Sequence, residues 1–286
     1  MPRKQFFITP ENVLQYGSYL RNEERAAATI VKYVRDIRVF ADFLGGEKIT
    51  KQAAIAWKEN LRTTHEATSV NSMLAAVNGF FAFLGHDIRV KPFKIQHKTF
   101  LPTEKELASE DYNKLLDTAW EQGNKRLYFA IQTIGATGIR VSELKFITVE
   151  AVKKGRADVE NKGKVRTILM PDNLRTMLLS YAKKHGITFG SVFVTKNGKP
   201  LNRSNLWAEM KKLAVIAGVE PEKVFPHALR RHFAVKFHDK AKDLSKLADV
   251  LGHSNLTTTR IYLKSSGTEH RKLINSLGLV RWRLVT

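Results

Sequence analysis

The sequence predicts a mainly α-helical protein of two modules, and three observations carry that prediction. Apolar residues recur at intervals of three and four through most of the first hundred positions. The period is lost over residues 86–103, "HDIRVKPFKIQHKTFLPT", where two prolines and repeated Lys and Arg give the composition of an extended basic linker. Helical periods then resume, broken by two short strand-like runs about a turn. At 286 residues the chain is long enough for two domains, each with a core of its own.

The first module, residues 1–90, reads as four helices. "TPENVLQYGSYLRN" opens with Thr9 as N-cap and Pro10 at the first helical position. "ATIVKYVRDIRVFADFL" sets Ile30, Tyr33, Val34, Ile37, Phe40, Phe43 and Leu44 on one stripe, with Lys32, Arg35, Asp36 and Arg38 on the other faces. "TKQAAIAWKENLRT" is capped by Thr50, and "SVNSMLAAVNGFFAFLG" places Val70, Leu74, Val77, Phe80, Phe81 and Leu84 before a C-capping Gly85. Short connections make these a small bundle, with Phe40, Phe43, Phe80, Phe81 and Phe83 as core. Residues 91–103 are assigned to the linker and 104–286 to the second module.

That second module begins with "TEKELASEDYNKLLDTAW", where Ser109 is the expected N-cap before acidic first-turn residues. "LYFAIQTIGATGI" is an apolar helix ending near Gly138. "RADVENKGKVRTILMP" reads as a hairpin turning at Lys162-Gly163, and "SVFVTKNGKPL" carries an Asn-Gly turn. "NRSNLWAEMKKLAVIAG" and the remainder return to helix.

Composition narrows the function. There is no cysteine, which excludes disulfides, thiolate nucleophiles and cysteine-bound zinc, and points to a reducing, cytoplasmic home. No run of eighteen apolar residues suggests a membrane span, and the N-terminus lacks the apolar stretch of a signal peptide. Lys and Arg number 48 against 27 Asp and Glu, a net charge of +21. The excess is spread, with 15 against 9 in residues 1–100 and 33 against 18 in residues 101–286. Two basic modules on a basic tether fit a polyanionic polymer, nucleic acid first, better than a membrane patch.

Four segments put polar groups in apolar surroundings: Arg140 and Glu143 in "ATGIRVSEL", Lys162 in "NKGKVR", His227 and Arg230 in "PHALRRHFAVKF", and His253 and Tyr262 in "LGHSNLTTTRIY". Singly, each has a bland explanation: a surface ion pair, a solvated turn lysine, a histidine near a helix start, a core phenol. Jointly they suit attack of a phenol on a DNA phosphodiester. Two arginines can hold the nonbridging oxygens bidentately, histidines titrate near neutrality, and a hairpin lysine can protonate the leaving 5′ oxygen. A metal reading of His227, His232, His238 and His253 lacks a ligand-bearing face and an accompanying carboxylate, so no metal or cofactor is expected.

These segments resemble the boxes of the tyrosine recombinases, the class of phage and transposon integrases and Xer-type resolvases. "TGIRVSEL" resembles the first arginine box, "HALRRHFA" the His-x-x-Arg box and "LGHSNLTTTRIY" the histidine-to-tyrosine box. "TIVKYVRDIRVFADFL" and "NSMLAAVNGFFAFLG" resemble the family's core-binding helices, so the likeness spans nearly the whole chain. It implies a C-shaped clamp on double-stranded DNA, built from a helical bundle and a mostly helical catalytic domain with a small antiparallel sheet. It implies Tyr262 as nucleophile, Arg140 and Arg230 as phosphate ligands, and His227 and His253 in proton transfer and phosphate hydrogen bonding. Glu143 would support Arg140 or His227. Lys162 is the expected general acid and Lys164 the fallback, because "ENKGKVR" is shorter than the family's usual hairpin. Arg231 stands where many members carry a second histidine. The resemblance also implies a dimer on one site and a tetramer in the synapse, leaving room for accessory proteins. It further implies an exchange segment from about residue 267, which in the family docks on a neighbouring protomer; a helix packed on its own domain is the alternative the sequence leaves open. A type IB topoisomerase or a catalytically silent DNA-binding protein are the alternatives, the first sharing the chemistry and the second only the binding.

Overall fold

The computed structural model describes residues 6–95, 106–161, 164–195, 198–253, 255–263 and 275–277. It separates into two compact units, Met1–His97 and Lys98–Thr286. Among the described residues no helix is long and apolar enough to cross a membrane.

The first unit holds α1 (Pro10–Asn22), α2 (Ala27–Leu44), α3 (Lys51–Arg62) and α4 (Ala67–Phe83). Thr9 caps α1 in a reciprocal box with Asn12, and Thr50 caps α3 through the Ala53 N–H. Tyr16, Ile37, Phe40, Trp57, Leu74, Phe80 and Phe81 form the centre of the core. Two residues of α2 depart from the stripe. Phe43 is 42% exposed, outside the core to which it was assigned. Asp36, expected on a polar face, is buried, with Lys32 and Arg35 paired to its carboxylate. Lys32 also donates to the Ser72 carbonyl of α4, so the buried charge ties two helices together.

The extended stretch after α4 is docked along that helix. Asn78 donates to the Val90 carbonyl and accepts from the Val90 N–H, both at 2.9 Å. Two turns earlier, Asn71 does the same for Phe93, at 2.9 and 2.7 Å.

The second unit runs α5 (Ser109–Glu121), α6 (Lys125–Thr137), a 3-10 helix (Val141–Phe146), α7 (Val149–Lys154), β1 (Arg156–Asn161), β2 (Lys164–Leu169) and α8 (Asp172–Lys184). It continues with α9 (Arg203–Ile216), α10 (Pro226–Ala241), α11 (Leu244–Leu251), α12 (Leu256–Arg260) and a final 3-10 turn, Ile261–Leu263. Ala108, not Ser109, is the N-cap of α5. Strands β1 and β2 pair antiparallel, from Arg156 against Leu169 to Asn161 against Lys164. Ala157, Val159 and Ile168 face inward, while Val165 and Leu169 face solvent. The fold is therefore mainly helical with a small antiparallel sheet. Its main core gathers around α6, whose Ala130, Ile131 and Ile134 are fully enclosed. A smaller apolar cluster of Ala234, Leu247, Leu251 and Tyr262 lies beside it.

Candidate active site

Three chain turns deliver the site. Helix α6 ends at Gly138, whose left-handed φ of +64° reverses the chain into Arg140. A Cβ at Gly138 would lie 2.3 Å from the Phe233 ring of α10, so only glycine permits that approach. Arg140 then precedes the 3-10 helix that carries Glu143. Helix α10 starts at Pro226 and presents His227 and Arg230 three residues apart, hence on one face. Helix α11 ends at Gly252, again left-handed, and His253 follows; α12 and its 3-10 extension bring Tyr262 back.

Arg230 is the hub, and it is 1% exposed. Its Nε donates to the Tyr262 hydroxyl at 3.3 Å. Nη1 donates to the Gly138 carbonyl at the end of α6, and Nη2 to the Leu251 carbonyl at the end of α11, at 2.8 Å. Helix C-termini offer carbonyls without intrahelical partners and a negative dipole end, which explains how a guanidinium is held in the interior. Nη2 also lies 3.0 Å from His253 Nε2. Since arginine only donates, that ring nitrogen accepts and carries no proton. The ring proton is then on Nδ1, which donates to Thr259 Oγ1 at 2.9 Å.

The electrostatics agree with this tautomer. Burial and the Arg230, Arg140 and Arg166 guanidiniums push His253 down to about 4. Burial, then the same kind of positive surroundings, lowers His227 as well. Both rings are neutral at pH 7 and both flank the phenol. The Tyr262 ring stacks on His253 with centroids 5.5 Å apart and tilts against His227 at 5.2 Å.

Glu143 is 2% exposed yet ionised. Burial alone pushes its carboxyl up. The Arg140 N–H (2.7 Å to Oε2) and the Arg166 guanidinium (2.5 Å to Oε2) more than offset that, and the net direction is down. Arg140 Nη1 holds Oε1 at 3.0 Å, so Glu143 supports Arg140, with Arg166 as its second cation.

The structure thus brings together Arg140, Glu143, His227, Arg230, His253 and Tyr262. Lys162 lies outside the described residues; Lys164 begins β2, and its side chain lies outside them too. The segment from 267 also falls outside them, apart from 275–277. Arg231 pairs with Glu106 at 3.1 Å. Two contributors were missed in the sequence. Thr259 is one of three consecutive threonines and only its burial distinguishes it. Arg166 shares a strand face with the buried Ile168, but as a charged residue it reads in the sequence as solvent-facing.

Residues 105–269 match the phage integrase family, and residues 13–87 match the phage integrase N-terminal SAM-like domain. The chain is 29% identical to the tyrosine recombinase XerC of Roseiflexus castenholzii, over 91% of this chain and 92% of that protein. It is 30% identical to the tyrosine recombinase XerD of Vibrio cholerae, over 74% and 75%. Its fold matches a lambda integrase dimer bound to a COC′ core site with a TM-score of 0.74, at 16% identity over 99% of this chain and 81% of that one.

Proposed function

Because this chain belongs to the phage integrase family of tyrosine recombinases, we propose that Tyr262 is the nucleophile of a site-specific DNA strand transfer. The Tyr262 oxygen bonds to the scissile phosphorus and the bond to the 5′ oxygen breaks, leaving a 3′-phosphotyrosine and a 5′-hydroxyl. Arg140 and Arg230 hold the nonbridging oxygens, which gain negative charge in the transition state. His227 and His253, both neutral, serve proton transfer; His227 hydrogen-bonds the phosphate, and His253 does so once its bare Nε2 has taken a proton. Lys162 protonates the departing 5′ oxygen. Attack of another strand's 5′-hydroxyl reverses these steps, passes through a Holliday junction, and reseals DNA without ATP.

In this reading residues 1–90 grip the core DNA, 91–103 link, and 104–286 carry the chemistry, with exchange between protomers from about 267. Two copies occupy one site and four form the synapse, acting on duplex DNA in the cytoplasm. The observation that carries the reading is the hydrogen bond from the buried Arg230 to the Tyr262 hydroxyl, with both histidine rings against the same phenol.

The test is covalent capture. Wild-type protein and Tyr262→Phe are incubated in chelator with DNA fragments flanking the gene and with a randomised duplex pool, then denatured. A DNA-linked band is expected from the wild type alone, and its mapped position is the recombination site. A band that survives in Tyr262→Phe, or one that needs divalent metal, refutes the assignment.

A further inference from the structure

Arg166 connects three of the segments that make up the site. It lies on β2 opposite the buried Val159, so its side chain enters from the inner face of the hairpin and is only 12% exposed. Nη2 donates to Glu143 Oε2, and Nη1 donates to the Val250 carbonyl at 2.8 Å, in the last turn of α11. Its stem runs directly under Gly252, where an added Cβ would lie 2.2 Å from Arg166 Cδ. The hairpin, the arginine box and the histidine turn therefore meet on one guanidinium.

We propose that Arg166 is a positioning residue for the strand-transfer reaction, holding Glu143 and the His253 turn against the hairpin while leaving the Arg140 charge available to the scissile phosphate. This rests on the roles given above to Arg140 and His253. Counting charges shows why. Arg140, Arg166 and Glu143 together carry one net positive charge, whereas Arg140 and Glu143 alone carry none. Without Arg166 the buried carboxylate would take Arg140, the more exposed of its two cations at 34% against 12%, as its only partner. The Val250 carbonyl would lose its donor at the same time, loosening the turn that aims His253. A lysine could satisfy either contact but not both, because the two bonds diverge from one planar fork.

The test uses the full chain and a duplex recovered by covalent capture with the wild type. Arg166→Met, Arg166→Lys, Glu143→Gln and the double variants are compared by duplex Kd, single-turnover cleavage rate and melting temperature, with rates taken well below every melting point. Arg166→Met is expected to cleave about a hundredfold more slowly, with Kd within about threefold of wild type because many other cations bind the backbone. Arg166→Lys regains part of that rate. The Glu143→Gln, Arg166→Met double variant is no slower than its slower parent, since both act through one carboxylate. Cleavage by Arg166→Met within about twofold of wild type, well short of the loss expected from misplacement, overturns the proposal. So do losses that multiply in the double variant, or a rate loss matched by an equal loss in Kd. Should Arg166→Met fail to fold, Arg166→Lys with Glu143→Gln completes the same cycle. A wild type that captures no duplex defeats the Tyr262 assignment itself, and this inference with it, which separates the two failures.

Discussion

Among the described residues, each unit buries one carboxylate between two cations, and the two clusters are put to different ends. In the first unit Asp36 is held by Lys32 and Arg35, neighbours on its own helix that are 32% and 69% exposed. In the second, Glu143 is held by Arg140 and by Arg166, the latter 23 residues away in sequence and largely enclosed. The Asp36 cations end in solvent and at one carbonyl of the adjacent helix. The Glu143 cations lead onward to the α11 terminus and, through the shared field, to His253. A buried ion cluster thus reads as structural or functional according to what its partners also touch, not according to its own composition.

Neutralising each carboxylate is the sharpest way to break that comparison. Glu143→Gln is expected to lower single-turnover cleavage by about ten- to a hundredfold, because Arg140 loses its anchor. Asp36→Asn is expected to leave the cleavage rate of bound enzyme unchanged while costing about 1–2 kcal/mol of stability. Chemical denaturation and single-turnover assays on both variants decide the matter. A cleavage defect in Asp36→Asn comparable with that of Glu143→Gln would erase the distinction.

Acid titration probes the same asymmetry with a smaller effect. Burial, followed by neighbouring cations, depresses His253 and His227, and burial depresses His232; all three belong to the second unit. A histidine with a folded pKa below its unfolded value binds more protons when unfolded, so stability rises with pH across the interval. For His253 the interval runs from about 4 to the ordinary 6.5. That contribution is complete above about 6.5 and is lost as pH falls towards 4. Melting temperature should therefore drop over this window in the wild type, and drop less steeply in His253→Asn. Parallel curves for the two proteins would show that the His253 environment does not depress its titration.

How much of this the sequence disclosed follows from the range of each interaction. The helices, the Thr9 and Thr50 caps, the hairpin and the boxes holding Arg140, Arg230, His253 and Tyr262 depend on near neighbours and on spacing, so they could be read directly. Asp36 could not, because a helical stripe marks an aspartate as polar and says nothing of two flanking cations that let it be buried. Phe43 failed for the converse reason, since periodicity alone sets only the edge of an apolar face. Arg166 was hidden by its charge: an arginine in a strand reads as solvent-facing, yet it goes inward on the face of Ile168 while the apolar Val165 and Leu169 face water. Its partners lie 23 residues before it and 84 after it, and no local pattern encodes such a pairing.

The smallest effect concerns the asparagines of α4, and it sharpens the contrast through additivity. Asn71 and Asn78 each close a two-bond contact with an extended residue, Phe93 and Val90 respectively. Replacing either with Ala strips a donor and an acceptor from backbone groups that are partly buried, at a cost of about 1–2 kcal/mol. Seven residues along a helix place the two sites about 10 Å apart, and they share no partner. Their costs should therefore sum within about 0.5 kcal/mol in the double variant. Cleavage by bound enzyme should stay at the wild-type rate in all three proteins. Glu143 and Arg166, which share one carboxylate, are expected to do the opposite: large kinetic losses that do not combine. Denaturant curves for Asn71→Ala, Asn78→Ala and the pair supply the comparison. Strong coupling between the asparagines would mean that the docked stretch releases as a single latch, and the first unit would then hold a cooperative device like that of the second.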